Sequence, residues 1–251
     1  MRDLFPIPDS LLRESSLPTT AKYLYLVALG VKPMSITEWS RELGKSRPFL
    51  SRSCNLLSKR GWLKLVRSAH SKLVVPCIPD AVEYEAADLL RRKRAVAGYL
   101  GEFLMRMWLD RLVASGEYVD NARPDFLRNP KSKQNLEYDR YYLIGVAFEF
   151  NGDQHYMETD FFPRTEELEE RQIRDLVKAG LSQKRHVILV EMTEEDLTLQ
   201  GMLAKIPDVL PLNQVNEDSP YVRALTELSQ EYRENVRRRR ARSSSSKPDV
   251  R

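Results

Sequence analysis

Apolar residues recur at helical spacing through "AKYLYLVALG", where Thr20 stands as an N-cap and Gly30 as a stop, and this pattern predicts the first helix. A short extended piece, "MSIT", follows. Thr37 is placed to cap "EWSRELG", which Gly44 closes. A third helix opens after Ser46, accepts Pro48 in its first turn and offers Phe49, Leu50, Cys54, Leu56 and Leu57 for packing. The period then changes, and "WLKLV" and "KLVVPC", parted by the polar "RSAHS", read as a hairpin. Residues 79–94, "PDAVEYEAADLLRRKR", read as a charged helix that links two domains and belongs to neither core.

From Ala95 the pattern becomes an apolar helix, "AVAGYLGEFLMRMWLDRLVASG", closed by Gly116 and carrying Glu102 inside its hydrophobic sequence. "ARPDFLRNPKSKQN" reads as a polar loop. "LEYDRYYLIGVAFEFNG" reads as two strands turning at Tyr142 to Gly145, because β-branched and aromatic residues dominate both arms. "TEELEERQIRDLVKAGLSQKR" is a helix capped by Thr165 and ending near Gly180, and "HVILVEM" is a buried strand behind it. Strand, strand, helix, strand is the core of an α/β domain. From Val236 onward, "VRRRRARSSSSKPDVR" is basic and low in complexity, which predicts a disordered tail over 236–251.

Composition narrows the class. With 251 residues, 42% of them hydrophobic, the chain can build two small domains or one large one. No stretch approaches the roughly 18 uninterrupted apolar residues of a membrane span, and "MRDLFPIPDSLLRESS" lacks the apolar core of a secretory signal. The expectation is a cytoplasmic protein with no membrane partner. Cys54 and Cys77 stand alone, so neither a disulfide framework nor a cysteine zinc site is expected. The net charge is only +4, yet Met1 to Asp80 carries thirteen Lys or Arg against six Asp or Glu, a surplus of seven. Such a surplus suits a polyanion.

Helix, short strand, helix, turn, helix, hairpin is the order of winged-helix DNA-binding domains, and Thr37 to Cys77 resembles one. The resemblance implies that the third helix enters the major groove, with Ser46, Arg47, Ser51, Arg52 and Asn55 facing it, over a domain spanning 1–79. It further implies that Lys59, Arg60, Lys64, Arg67 and Lys72 meet phosphates, and that the partner is double-stranded DNA. A protein-interaction module of the same fold is the alternative.

Asp139 and Glu149 fall on adjacent arms of the second hairpin, and its turn brings both to one edge. Two converging carboxylates raise each other's pKa unless a cation compensates, so the pair suggests a hard-metal site that Glu102 can complete. A helix with Glu, then "YD", then "FEFNGDQHY", then "RDLVK" and "VILVEM" resembles the PD-(D/E)xK nuclease superfamily, near the very-short-patch-repair and homing-type endonucleases. The resemblance implies a restriction-endonuclease-like α/β core over 95–235. It implies Asp139, Glu149 and Glu102 as ligands of Mg²⁺ or Mn²⁺, and phosphodiester hydrolysis on DNA. The family's lysine falls at Asn151, so Gln154, His155 and Lys178 are the candidates for its role. A catalytically inactive DNA-binding regulator and a nicking subunit of a transposition or recombination complex stay open beside the endonuclease, as does a homodimer or larger nucleoprotein assembly.

Overall fold

The computed structural model describes residues 9–29, 33–68, 71–114, 117–152 and 165–245. They fall into two units, residues 1–90 with 218–221 and residues 91–217 with 222–251.

In the first unit, helices α1 (Asp9–Arg13) and α2 (Thr19–Leu29) precede strand β1 (Met34–Ser35), helices α3 (Ile36–Leu43) and α4 (Arg47–Lys59), and the hairpin β2 (Leu63–Ser68) and β3 (Ser71–Pro76). β1 adds to the outer edge of β3, which gives a three-stranded antiparallel sheet in the order β1-β3-β2. The predicted cap of α3 moves from Thr37 to Ser35. Ser35 Oγ accepts from the Glu38 backbone N–H at 3.3 Å, and the Ser35 N–H donates to Glu38 Oε2 at 2.7 Å. That reciprocal pair is the S-x-x-E capping box, which stabilises the helix start more than a lone threonine. Gly44 then ends α3 at φ 60, the left-handed conformation that glycine adopts most cheaply. Leu24, Tyr25, Trp39, Leu50, Cys54, Leu57, Trp62 and Val74 form the buried core.

The charged helix after the hairpin, α5 (Asp80–Ala95), does not stand outside both cores as the sequence suggests. Glu83, Ala87 and Leu90 are buried, Val82 packs on the first unit's core, and Glu83 Oε2 accepts from the Tyr221 N–H at 3.3 Å. The division between the units falls inside this helix, after Leu90.

The second unit begins its sheet with helix α6 (Leu100–Leu112), which ends at Val113 before reaching Gly116. Strands β4 (Tyr118–Ala122), β5 (Tyr138–Tyr142) and β6 (Val146–Phe150) pair antiparallel, and helix α7 (Thr165–Lys184) crosses over to β7 (Ile188–Met192), parallel to β6. The sheet order is β4-β5-β6-β7. The β5–β6 turn falls where the sequence predicts it, with Gly145 at φ 94. α7 passes through Gly180, and β7 is an edge strand with Ile188 and Glu191 exposed, where the pattern predicts a buried one.

α6 covers one face with Leu104, Met105, Trp108 and Leu109, all buried. It comes so near β6 that a Cβ on Gly101 would lie 2.0 Å from the Phe150 ring, so only glycine fits there. Ala147, Tyr141, Leu189 and the α7 residue Leu181 pack together on a second cluster. A 3₁₀ turn (Glu194–Asp196), α8 (Leu199–Lys205) and α9 (Pro220–Ser245) complete the unit.

The tail predicted to be disordered from Val236 is helical to Ser245. Val236 is buried, Arg237 bonds Glu195 at 2.7 and 3.1 Å, and Arg240 lies 2.5 Å from the buried Glu194. Charge pairs across to the 3₁₀ turn hold a segment whose composition alone would leave it unfolded. Among the described residues no helix is long and apolar enough to cross a membrane.

Candidate active site

Arg140, Tyr141 and Tyr142 of β5 face Phe148, Ala147 and Val146 of β6, and the next step in that register sets Asp139 opposite Glu149. The aromatic and aliphatic alternation of the two arms fixes this register, because a one-residue slip would turn every side chain to the other face. Asp139 Oδ2 accepts from the Phe150 N–H at 2.7 Å, which holds its carboxylate across the strand end. Glu149 lies one residue before the end of β6, beside Glu191 of β7.

The cation comes from α7. Lys178 Nζ is 2.8 Å from Glu149 Oε2, and the two side chains are only 15% and 14% exposed. The other oxygen, Glu149 Oε1, is buried without a hydrogen-bond partner among the described residues. An orphaned anionic oxygen in such a place is costly unless it binds a cation or a proton. Asn151, where the resemblance implies a lysine, donates its backbone N–H to Met192 O at 2.7 Å. Of the three candidates for the lysine's role, Lys178 is brought to the acid. Gln154 and His155 lie outside the described residues.

Burial pushes Glu149 up to about 8, with the Lys178 ammonium opposing the rise and the Asp139 charge adding to it. Asp139 is raised by burial too, against the Phe150 N–H and Lys178. Burial and then the Asp139 charge push Glu102 up to about 7, with Arg106 opposing. The desolvation of three neighbouring carboxyl groups outweighs the cations supplied to them.

Among the described residues no three His, Cys, Asp or Glu side chains converge as a metal-binding group. Glu102 is instead paired with Arg106, one turn along α6. The pair Asp139 and Glu149 nonetheless fits a hard divalent cation, because both offer carboxylate oxygens and Glu149 Oε1 has no other partner among the described residues.

Two features escape the sequence pattern. Arg140 is buried and bonds Asp120 Oδ1 at 2.7 Å, Asp120 Oδ2 at 3.1 Å and Asp110 Oδ1 at 2.6 Å, with its guanidinium 3.8 Å from the centre of the Tyr118 ring. This network ties α6, β4 and β5 together behind Asp139, and its signal is the lone cation inside "YDRYYLI". Arg106 of α6, which reaches the Asp139 main chain, is the other.

In the first unit, Arg47, Ser51, Asn55 and Lys59 recur every four residues along α4, whose buried side is formed by Leu50, Cys54 and Leu57. Ser46, Arg47, Arg52, Asn55, Lys59 and Arg60 are exposed and Ser51 is half-buried. Arg67 and Lys72 face each other across the hairpin, whereas Lys64, opposite Val75, is an odd number of residues from Arg67 and so points to the other face. The hairpin members of the predicted phosphate-contact set therefore divide between its two faces, and Lys59 and Arg60 stand at the end of α4.

The two units make this a mixed α/β protein with two sheets. A stretch of 73 residues is 44% identical to "Uncharacterized protein 033L" of Invertebrate iridescent virus 3, covering 28% of this chain and 38% of that protein. Another of 83 residues is 35% identical to "Uncharacterized protein 307L" of Invertebrate iridescent virus 6, covering 30% of this chain and 42% of that protein. The chain thus spans less than half the length of either relative. No family model matches it, and no solved structure matches it significantly.

Proposed function

We propose that the chain is a metal-dependent DNA endonuclease, a phosphodiester hydrolase of the PD-(D/E)xK kind, with a winged-helix domain that engages duplex DNA. The contact of Lys178 with Glu149 carries the reading, since acid, facing acid and cation then share one strand end. The order of α6, three antiparallel strands, the α7 crossover and a parallel strand supports it. So does the order of helices and hairpin in the first unit.

Asp139 and Glu149 would hold Mg²⁺ or Mn²⁺. Such an ion, once bound, supplies positive charge to the scissile phosphate and acidifies water. The chain's own groups do the rest. The Phe150 N–H fixes Asp139 Oδ2 and so orients the remaining oxygen of that carboxylate. Lys178 steadies Glu149 and brings positive charge to where the phosphate gains negative charge in the transition state. The paired cation of the family thus reaches the site from α7 and not from position 151, which weakens the reading of a catalytically inactive regulator.

On the first unit, Arg67 facing Lys72 sets like charges directly opposite, an arrangement that costs stability and that a polyanion relieves. Incubation of the full chain with supercoiled plasmid and Mg²⁺ or Mn²⁺ tests the activity. Nicked or linear product is expected, and none should form with EDTA.

A further inference from the structure

Arg106 projects from α6 with 18% of its side chain exposed, and a single nitrogen, Nη2, serves three oxygens. It donates to Asn121 Oδ1 at 2.6 Å and to the main-chain oxygen of Asp139 at 2.8 Å, and it also pairs with Glu102 Oε1. A guanidinium Nη carries two protons. Three acceptors therefore compete for two donors, while Nε, 3.6 Å from Asp120 Oδ1, is buried without a hydrogen bond to any described residue.

We propose that Arg106 is a positioning residue that clamps β5 at Asp139 and holds Glu102 in reserve, yielding Glu102 when a divalent cation enters beside Asp139 and Glu149. This rests on the endonuclease reading above. Asn121 and the Asp139 carbonyl together use both Nη2 protons, so Glu102 is the acceptor whose departure leaves no Nη2 proton unpaired. The two clamp contacts reach β4 and β5, whereas Glu102 is held within α6 and through side chains alone. A divalent ion held by Asp139 and Glu149 would carry twice the charge of the guanidinium, so Glu102 would gain by turning from Arg106 to it.

The test is calorimetric Mn²⁺ titration of the full chain, wild type beside Arg106→Gln, Arg106→Lys and Glu102→Gln, with metal-free thermal midpoints and plasmid cleavage kinetics. Losing a partner that orients a metal ligand weakens affinity by about 10–100-fold. Arg106→Gln is expected to show that loss together with a lower kcat and unchanged KM, and Arg106→Lys to recover part of it. Glu102→Gln is expected to lose about tenfold in Mn²⁺ affinity at a metal-free midpoint no lower than that of wild type, because Nη2 keeps two acceptors and a buried carboxyl has gone. Should Arg106→Gln fail to fold, Glu102→Gln decides. A folded Glu102→Gln or Arg106→Gln chain that binds Mn²⁺ within twofold of wild type overturns the proposal. Wild type that binds no Mn²⁺ overturns the endonuclease reading, and this proposal with it.

Discussion

Lys178 Nζ meets Glu149 Oε2 at 2.8 Å although the two residues belong to different elements, one to the crossover helix α7 and the other to strand β6. The helix returns a cation to the acid of the strand that precedes it. If this ammonium stabilises negative charge on the transferring phosphate, Lys178→Gln lowers kcat by about 10²–10³-fold, the loss typical of one electrostatic donor. Lys178→Arg should recover part of it. Plasmid cleavage rates at saturating DNA check both.

The raised carboxyl groups set a pH dependence. Glu149 near 8 and Glu102 near 7 stand above the ordinary value of 4.5, so between about pH 4.5 and 8 the folded chain holds more protons than the unfolded chain. Metal-free stability must then fall as pH rises through that window. Glu149→Gln removes the part of the slope that extends above pH 7 and stabilises the metal-free chain at pH 8. Urea midpoints at pH 5, 6.5 and 8, with EDTA present, read it.

The site is partly legible in the sequence. Alternation specifies the β5–β6 hairpin and hence the facing of Asp139 and Glu149, because side chains of period two permit one register only. Lys178 reads as one of several helix or turn residues, since periodicity places a residue on a helix face but not against a particular strand. Arg106 stays hidden, because its i,i+4 spacing to Glu102 reads as an ordinary exposed helix pair, and its partners Asn121 and Asp139 become neighbours only when β4 joins the sheet. β4 itself escapes notice, for "YVDNA" is short and ends on polar and small residues. The Arg-rich end of α9 reads as disordered by composition, and its pairing with Glu194 and Glu195 is a tertiary fact.

Those pairs make the tail structural. Deleting 236–251 removes the buried Val236 and leaves Glu194, 2% exposed, without Arg240. An unsatisfied buried polar group costs about 1–3 kcal/mol and a charged one more, and the valine adds about 1.5 kcal/mol or more. The thermal midpoint should drop by about 5–10 °C, given about 2–4 °C per kcal/mol in a unit of this size. An unchanged midpoint would show that the helix end is not docked.

Salt separates the two faces of the hairpin. Removing one phosphate-neutralising cation reduces the slope of log K against log salt by about 0.9. Arg67→Ala with Lys72→Ala should therefore cut the slope for duplex DNA by about 1.8, while Lys64→Ala does so only if the opposite face also touches the backbone. Arg47→Ala or Arg52→Ala should cost about 1–3 kcal/mol where the side chain reads a base. Fluorescence titrations at several salt concentrations measure all of these.

The sharing of one divalent cation by Asp139 and Glu149 at the end of β6 stands or falls on Glu149→Ala. Mn²⁺ titration of wild type and Glu149→Ala, run beside plasmid cleavage and metal-free thermal unfolding, gives three readings of one change. Mn²⁺ binding and cleavage should both be lost while the metal-free chain is at least as stable as wild type, since a buried, repelled carboxyl has gone. Unchanged Mn²⁺ affinity together with unchanged cleavage in Glu149→Ala would show that this pair holds no catalytic metal.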